Sequence, residues 1–70
     1  MVKNKFLEIR LGRGYKFQKD FAEYLGIGQY QYNRYERNEN QPSLEVLLKI
    51  CSPGKLNIDP RDIFYLDELI

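Results

Sequence analysis

The stretch "QKDFAEYLGIGQYQYNRYERN", Gln18 to Asn38, decides the fold. Gln18, Ala22 and Gly26 stand four residues apart, Tyr32 follows six residues after Gly26, and Tyr35 three after that. Where two helices meet steeply across a tight turn, the side chain at the crossing must be small, and Ala22 meets that demand. The turn needs a residue that accepts positive φ, which Gly26 does without strain. Ile27 in the turn, with Tyr32 and Tyr35 one turn apart on the next segment, supplies an apolar face toward a core. Each feature is commonplace alone. Together, at this spacing, they predict two short helices packed across a turn.

On the N-terminal side, Asn4 is placed to cap a first helix with apolar positions Phe6, Ile9 and Leu11, ending at the Gly12 and Gly14 pair. The second helix runs over about 18–25 and stops at Gly26; the third runs over about 29–37 and meets the turn-rich "NENQPS" with its Pro42. Ser43 caps a fourth, "LEVLLKIC", with Glu45 in its first turn and Lys49 near its end, as the helix dipole prefers. Pro53 and Gly54 close it. Asp59 followed by Pro60 is a helix-start signal that predicts a fifth helix through "RDIFYL", over about 60–67. No segment reads as a strand, and there is no repeat or linker. The expectation is one all-α domain, residues 1–70, of five short helices.

Composition narrows the function classes. At 43% hydrophobic and 30% charged residues the chain should fold, with one small core and little room for a large cleft. A single cysteine, Cys51, excludes an internal disulfide, and the lack of histidine removes the usual zinc sites. A reducing, cytoplasmic setting is expected. No run approaches the roughly 20 apolar residues that cross a bilayer, and the start lacks a signal peptide's apolar block, so no membrane association is expected. The net charge is only +1, yet residues 1–37 hold eight Lys or Arg against four Asp or Glu, and residues 38–70 hold three against six. The basic half suits an anionic partner, or is simply a solvated surface.

Residues 6–50 resemble the lambda-repressor and Cro-like (Xre-type) family of helix-turn-helix DNA-binding domains. The resemblance rests on "IR" at 9–10, "RGY" at 13–15, "QKDFAEYLGI" at 18–27, "RYER" at 34–37 and "QPSLEVLLKI" at 41–50. There are departures. Phe17, Gly28 and Asn38 stand where the family usually has Ser or Thr, Ser, and Gly. Asn38 can still adopt the left-handed conformation and Gly28 is a tolerable cap, so only Phe17 costs a cap outright. The "GYKFQ" and "CSPGKLN" connections are also longer than the family's.

At about 100° per residue, Tyr30, Asn33, Arg34 and Arg37 share one outward stripe of the third helix, and Tyr32 and Tyr35 lie opposite, facing the core. In the resembling family the N-terminal end of this helix enters the major groove. That implies Gln29, Tyr30, Asn33 and Arg34 as base readers: Gln and Asn suit adenine, Arg suits guanine, and a Tyr ring suits a thymine methyl. Without a ligand each is only an exposed side chain. Gln18, in the first turn of the second helix, is implied to clamp a phosphate and buttress Gln29, or else to replace the missing cap. Lys16, Lys19, Arg37 and Asn40, and more weakly Arg13, are further phosphate candidates. The resemblance also implies a partly buried ion pair between Arg10 and Glu36, a structural role, since Glu36 falls on the inner flank.

These readings imply a sequence-specific regulator of bacterial or phage type that binds double-stranded DNA, most simply a repressor. It would act as a homodimer on a pseudo-palindromic operator, with the apolar residues of "DIFYLDELI" offering part of the dimer surface. No cofactor, metal or small-molecule ligand is implied. The competing reading is an antitoxin-like or accessory protein-interaction module with weaker DNA binding, which the acidic second half favours. Catalysis has no support: Cys51 lies on an apolar helix as a small core residue. RNA stacking would need aromatics that the core claims.

Overall fold

A computed structural model describes residues 1–68. The order is β1 (Val2–Asn4), α1 (Phe6–Gly12), α2 (Gln18–Leu25), α3 (Gln29–Glu36), α4 (Leu44–Ile50), a single 3₁₀ turn (Pro60–Asp62) and β2 (Phe64–Leu66). Four helices stand where five were expected, and the domain is not all-α. The start signal before the fifth was genuine: Asp59 accepts a hydrogen bond from the Arg61 N–H, and Pro60 opens the turn. One turn of helix is then overridden. Phe64, Tyr65 and Leu66 pair antiparallel with Asn4, Lys3 and Val2 respectively, an extended ladder that suits aromatic side chains. The expected helix over 60–67 is therefore absent as a dimer surface; Leu69 and Ile70 lie outside the described residues.

Asn4 also departs from expectation. Lys5, not Asn4, is the N-cap of α1, and it makes no side-chain cap bond. Asn4 instead is a buried connector. Its Oδ1 accepts from the Phe6 N–H at 3.0 Å, and its Nδ2 donates to Tyr35 O at 2.7 Å and Gln41 Oε1 at 2.8 Å.

The two edges of the small sheet differ. Lys5 N–H donates to Ile63 O and Asp67 N–H to Met1 O, both at 2.8 Å, so by antiparallel alternation Val2, Asn4, Phe64 and Leu66 turn their backbone groups outward. On β1 that edge is plugged: Asn38 Oδ1 takes the Asn4 N–H at 2.8 Å, and Gln41 Nε2 donates to Val2 O at 3.2 Å. On β2 the outward groups have no partner among the described residues.

The core is Phe6, Phe21, Ala22, Leu25, Tyr32, Tyr35, Ile50, Leu56 and Ile63. Phe6 is its hub, edge-on to Tyr32 at 5.9 Å and to Phe64 at 5.8 Å and stacked on Tyr35 at 6.2 Å, the arrangements aromatic quadrupoles favour. Leu56 reaches the core because its loop is held from both sides: Tyr24 Oη donates to Lys55 O at 2.6 Å, Lys55 Nζ to Tyr24 O at 2.8 Å, and Arg13 Nη2 to Leu56 O at 2.7 Å. Ser43 caps α4, its Oγ accepting from the Val46 N–H at 3.3 Å. No helix among the described residues is long and apolar enough to cross a membrane.

Candidate nucleic-acid interface

The α2 and α3 helices meet across residues 26–28. Gly26 ends α2 at φ 76°, in the left-handed region, and the Ile27 N–H returns to Ala22 O at 2.9 Å. Ala22 is fully buried at the crossing. Asn38 ends the α3 segment at φ 58°, a conformation Asn tolerates better than most residues. Neither Phe17 before α2 nor Gly28 before α3 supplies a side-chain cap, so the first N–H groups of both helices are left to solvent or a ligand.

The tyrosines of α3 divide by phase. Tyr32 and Tyr35 are buried, whereas Tyr30 is 78% exposed. Gln29 is exposed beside it, and Gln18, Gln29, Tyr30 and Asn33 line one shallow depression. A second depression adjoins it, lined by Arg10, Lys16, Phe17, Gln18, Lys19, Asp20 and Gln29. The fold thus brings Lys16, Gln18, Lys19, Gln29, Tyr30 and Asn33 together. Arg34 and Asn40 are half-buried and line neither depression. Arg37 is exposed, bonded to Glu39 at 3.1 Å and to Asn33 Oδ1 at 3.3 Å. Arg13 is spent on the Leu56 carbonyl.

Behind this surface lies a charged network. Arg10 and Glu36, with side chains 8% and 7% exposed, meet in a two-point contact: Nε to Oε2 at 2.9 Å and Nη2 to Oε1 at 3.1 Å. Arg10 Nη1 also donates to the Tyr15 and Lys16 carbonyls, at 3.0 and 2.6 Å, fixing the connection into α2. Glu36 accepts two more bonds, from Tyr32 Oη at 2.6 Å and from Gln18 Nε2 at 3.0 Å. Burial by itself would raise the Glu36 carboxyl, but the donors of Arg10, Tyr32 and Gln18 outweigh it and hold the group below its usual range. The hydrogen bond to Glu36 holds the Arg10 guanidinium above its ordinary value. Burial, then the adjacent carboxylate, pushes the Tyr32 phenol well up, so it stays a donor.

Gln18 therefore sits differently from the sequence expectation. Its amide joins Glu36 on one side and Asn33 on the other, with Asn33 Nδ2 donating to Gln18 Oε1 at 2.9 Å. It neither caps α2 nor hydrogen-bonds Gln29.

The profile of the family described as Helix-turn-helix matches residues 8–60. The chain belongs to the helix-turn-helix family of lambda-repressor and Cro-like type. This helix-turn-helix protein is also similar to YgzD of Bacillus subtilis (strain 168), described as an uncharacterized HTH-type transcriptional regulator. The two are 33% identical over 67 residues, which cover 96% of this chain and 97% of the relative. No solved structure gives a significant match.

Two features of the helix-turn-helix unit were missed in the sequence. Phe17, read only as a lost cap, is 60% exposed in the depression, with Lys16 Nζ 5.6 Å from its ring centroid. An aromatic beside Lys at a helix start was the available signal. The union of Asn4 with Asn38 and Gln41 had no local signal, because Asn4 lies 34 and 37 residues from its partners.

Proposed function

We propose that the chain is a sequence-specific regulator that binds double-stranded DNA, a repressor of bacterial or phage type, with α3 in the major groove. The observation that carries this reading is the exposed, uncapped start of α3. Gln29 and Tyr30 project from an uncapped helix start, next to an uncapped α2 flanked by Lys16 and Lys19. Such a pair of helix ends offers N–H groups and positive dipole to backbone phosphates while side chains reach base edges. Gln29, Tyr30, Asn33 and Arg34 are the proposed readers; Gln18, Lys16, Lys19, Arg37 and Asn40 the proposed phosphate contacts. Membership of the family and the likeness to a protein described as a transcriptional regulator support the same reading.

One such domain spans about half a turn of groove, so specific binding calls for two copies with recognition helices about 34 Å apart. The unpaired outer edge of β2, with Leu66 67% exposed beside it, supports a homodimer formed through that strand. Selection from random duplexes tests the whole reading: a recovered pseudo-palindrome supports it, and no enrichment over bulk DNA sinks it.

A second reading, an accessory module that binds a protein and contacts DNA weakly, draws on an apolar groove lined by Val2, Pro42, Leu47, Pro60 and Phe64, with Leu44 and Leu48 exposed on α4. Salt dependence separates the two. DNA reading requires a log–log slope of about −0.9 per phosphate neutralised.

A further inference from the structure

The orientation of the Asn33 amide is not free. Glu36 is an ionised carboxylate that only accepts hydrogen bonds, so Gln18 must turn its NH₂ toward it, at 3.0 Å. The reverse orientation would set carbonyl oxygen against carboxylate. With Nε2 committed, Gln18 Oε1 faces the other way and accepts from Asn33 Nδ2 at 2.9 Å. Asn33 must then turn Oδ1 away from Gln18, where it accepts from Arg37 Nη1 at 3.3 Å. Each link donates toward the buried charge, and no member can flip without placing like against like.

We propose that Glu36, acting through Gln18, fixes the hydrogen-bond polarity of Asn33 and thereby selects the base that Asn33 reads. This rests on the DNA-binding reading above. Glu36 and Gln18 are positioning residues here, and Asn33 is the reader. The outward Oδ1 has a lone pair left beyond its bond to Arg37, so it accepts from a base carrying an exocyclic amine, adenine or cytosine. Nδ2 has a second N–H beyond the one held by Gln18, which adds a donor for a ring nitrogen. Adenine offers both partners on its major-groove edge, N6–H₂ and N7. Thymine and guanine offer acceptors at the corresponding oxygens and would meet Oδ1 without a proton between.

Gln18→Met is the informative variant, because it keeps length and volume while removing both polar ends, and it leaves Arg10 and Tyr32 on Glu36. In the free protein, nuclear magnetic resonance of the side-chain amides reads the relay directly. The Asn33 NH₂ protons should exchange slowly with water and give widely separated signals that converge in Gln18→Met. An Asn33 amide that behaves like a freely hydrated one in the wild type overturns the relay. On duplexes from the selection, wild-type protein should prefer adenine at one position by at least about fivefold, the low end of what one two-point base contact supplies. Asn33→Ala should erase that preference, and Gln18→Met should erase it at the same position although Asn33 is intact.

A uniform loss of affinity in Gln18→Met, with the preference kept, overturns the specificity role and leaves Gln18 a phosphate contact only. If wild-type protein enriches no duplex at all, the DNA reading and the base-selecting role fall together. The amide spectra still report on the relay, so the two failures are distinguishable.

Discussion

At the scale of single residues, Glu36 and Arg34 are neighbours of opposite kind. Glu36 is buried and holds Arg10, Tyr32 and Gln18 at once, while the Arg34 guanidinium makes no hydrogen bond among the described residues. Glu36→Ala leaves Arg10 as an uncompensated buried charge, a cost of about 3–5 kcal/mol. At about 0.05–0.15 kcal/mol per residue, a domain this small holds only about 3.5–10 kcal/mol, so thermal denaturation should find Glu36→Ala melting far below wild type or already unfolded. Arg34→Ala and Tyr30→Ala should melt within about 0.5 kcal/mol of wild type and lose discrimination between operator and bulk DNA.

The same carboxylate shapes the acid limb of stability. Its folded pKa is held below its unfolded value of about 4.3, so its contribution is fully present above that pH and is lost as pH falls through the folded value. Urea titrations at stepped pH should show wild type losing stability below about pH 4 more steeply than Glu36→Gln. Much of this was legible in the sequence. Helical phase alone separates inward Tyr32 and Tyr35 from outward Tyr30. The acceptor of the Tyr32 hydroxyl, Glu36 one turn on in the same helix, lay within reach of helical spacing. The occupation of both ends of the Gln18 amide was not legible, because it depends on α2 and α3 being packed together.

At the scale of elements, the two strands carry the lesson about what a local pattern cannot see. Asp59 and Pro60 signal a helix start and do open one turn. Whether that turn propagates depends on Val2–Asn4, at the far end of the chain, and a three-residue strand has too little alternation to announce itself. The helices, by contrast, are set by their own apolar spacing and stop signals, and the expected bounds of α2, α3 and α4 lie within a residue of the observed ends. The open edge of β2 gives a prediction at this scale. The Leu66 N–H faces away from β1, so Leu66→Pro removes a donor only from the outer edge. Sedimentation should show a dimer for the wild type and a monomer for Leu66→Pro, with closely similar melting temperatures. Equal self-association of both proteins would rule out pairing through β2.

At the scale of the whole molecule, charge is sorted along the chain: the basic half carries α1 to α3 and both depressions, and the acidic half carries α4 and β2. A net charge of +1 hides this separation. Neutralising phosphates should therefore depend on a few cations. Lys16→Gln with Lys19→Gln should lower affinity for all duplexes alike and reduce the salt slope by about 0.9 for each phosphate that is no longer neutralised. An unchanged slope would remove both residues from the interface.

The sheet also joins the two ends of the described chain: the Met1 amino group reaches Asp67 O at 3.4 Å across a separation of 66 residues. Contacts this remote carry the largest loop-closure entropy, which orders events in time. The helices can assemble first, and the strands zip shut after the barrier. Val2→Gly should then accelerate unfolding and leave the refolding rate almost unchanged, moving one arm of a chevron plot and not the other. On that expectation β1 and β2 act as a clasp, the last part to fasten and the first to open.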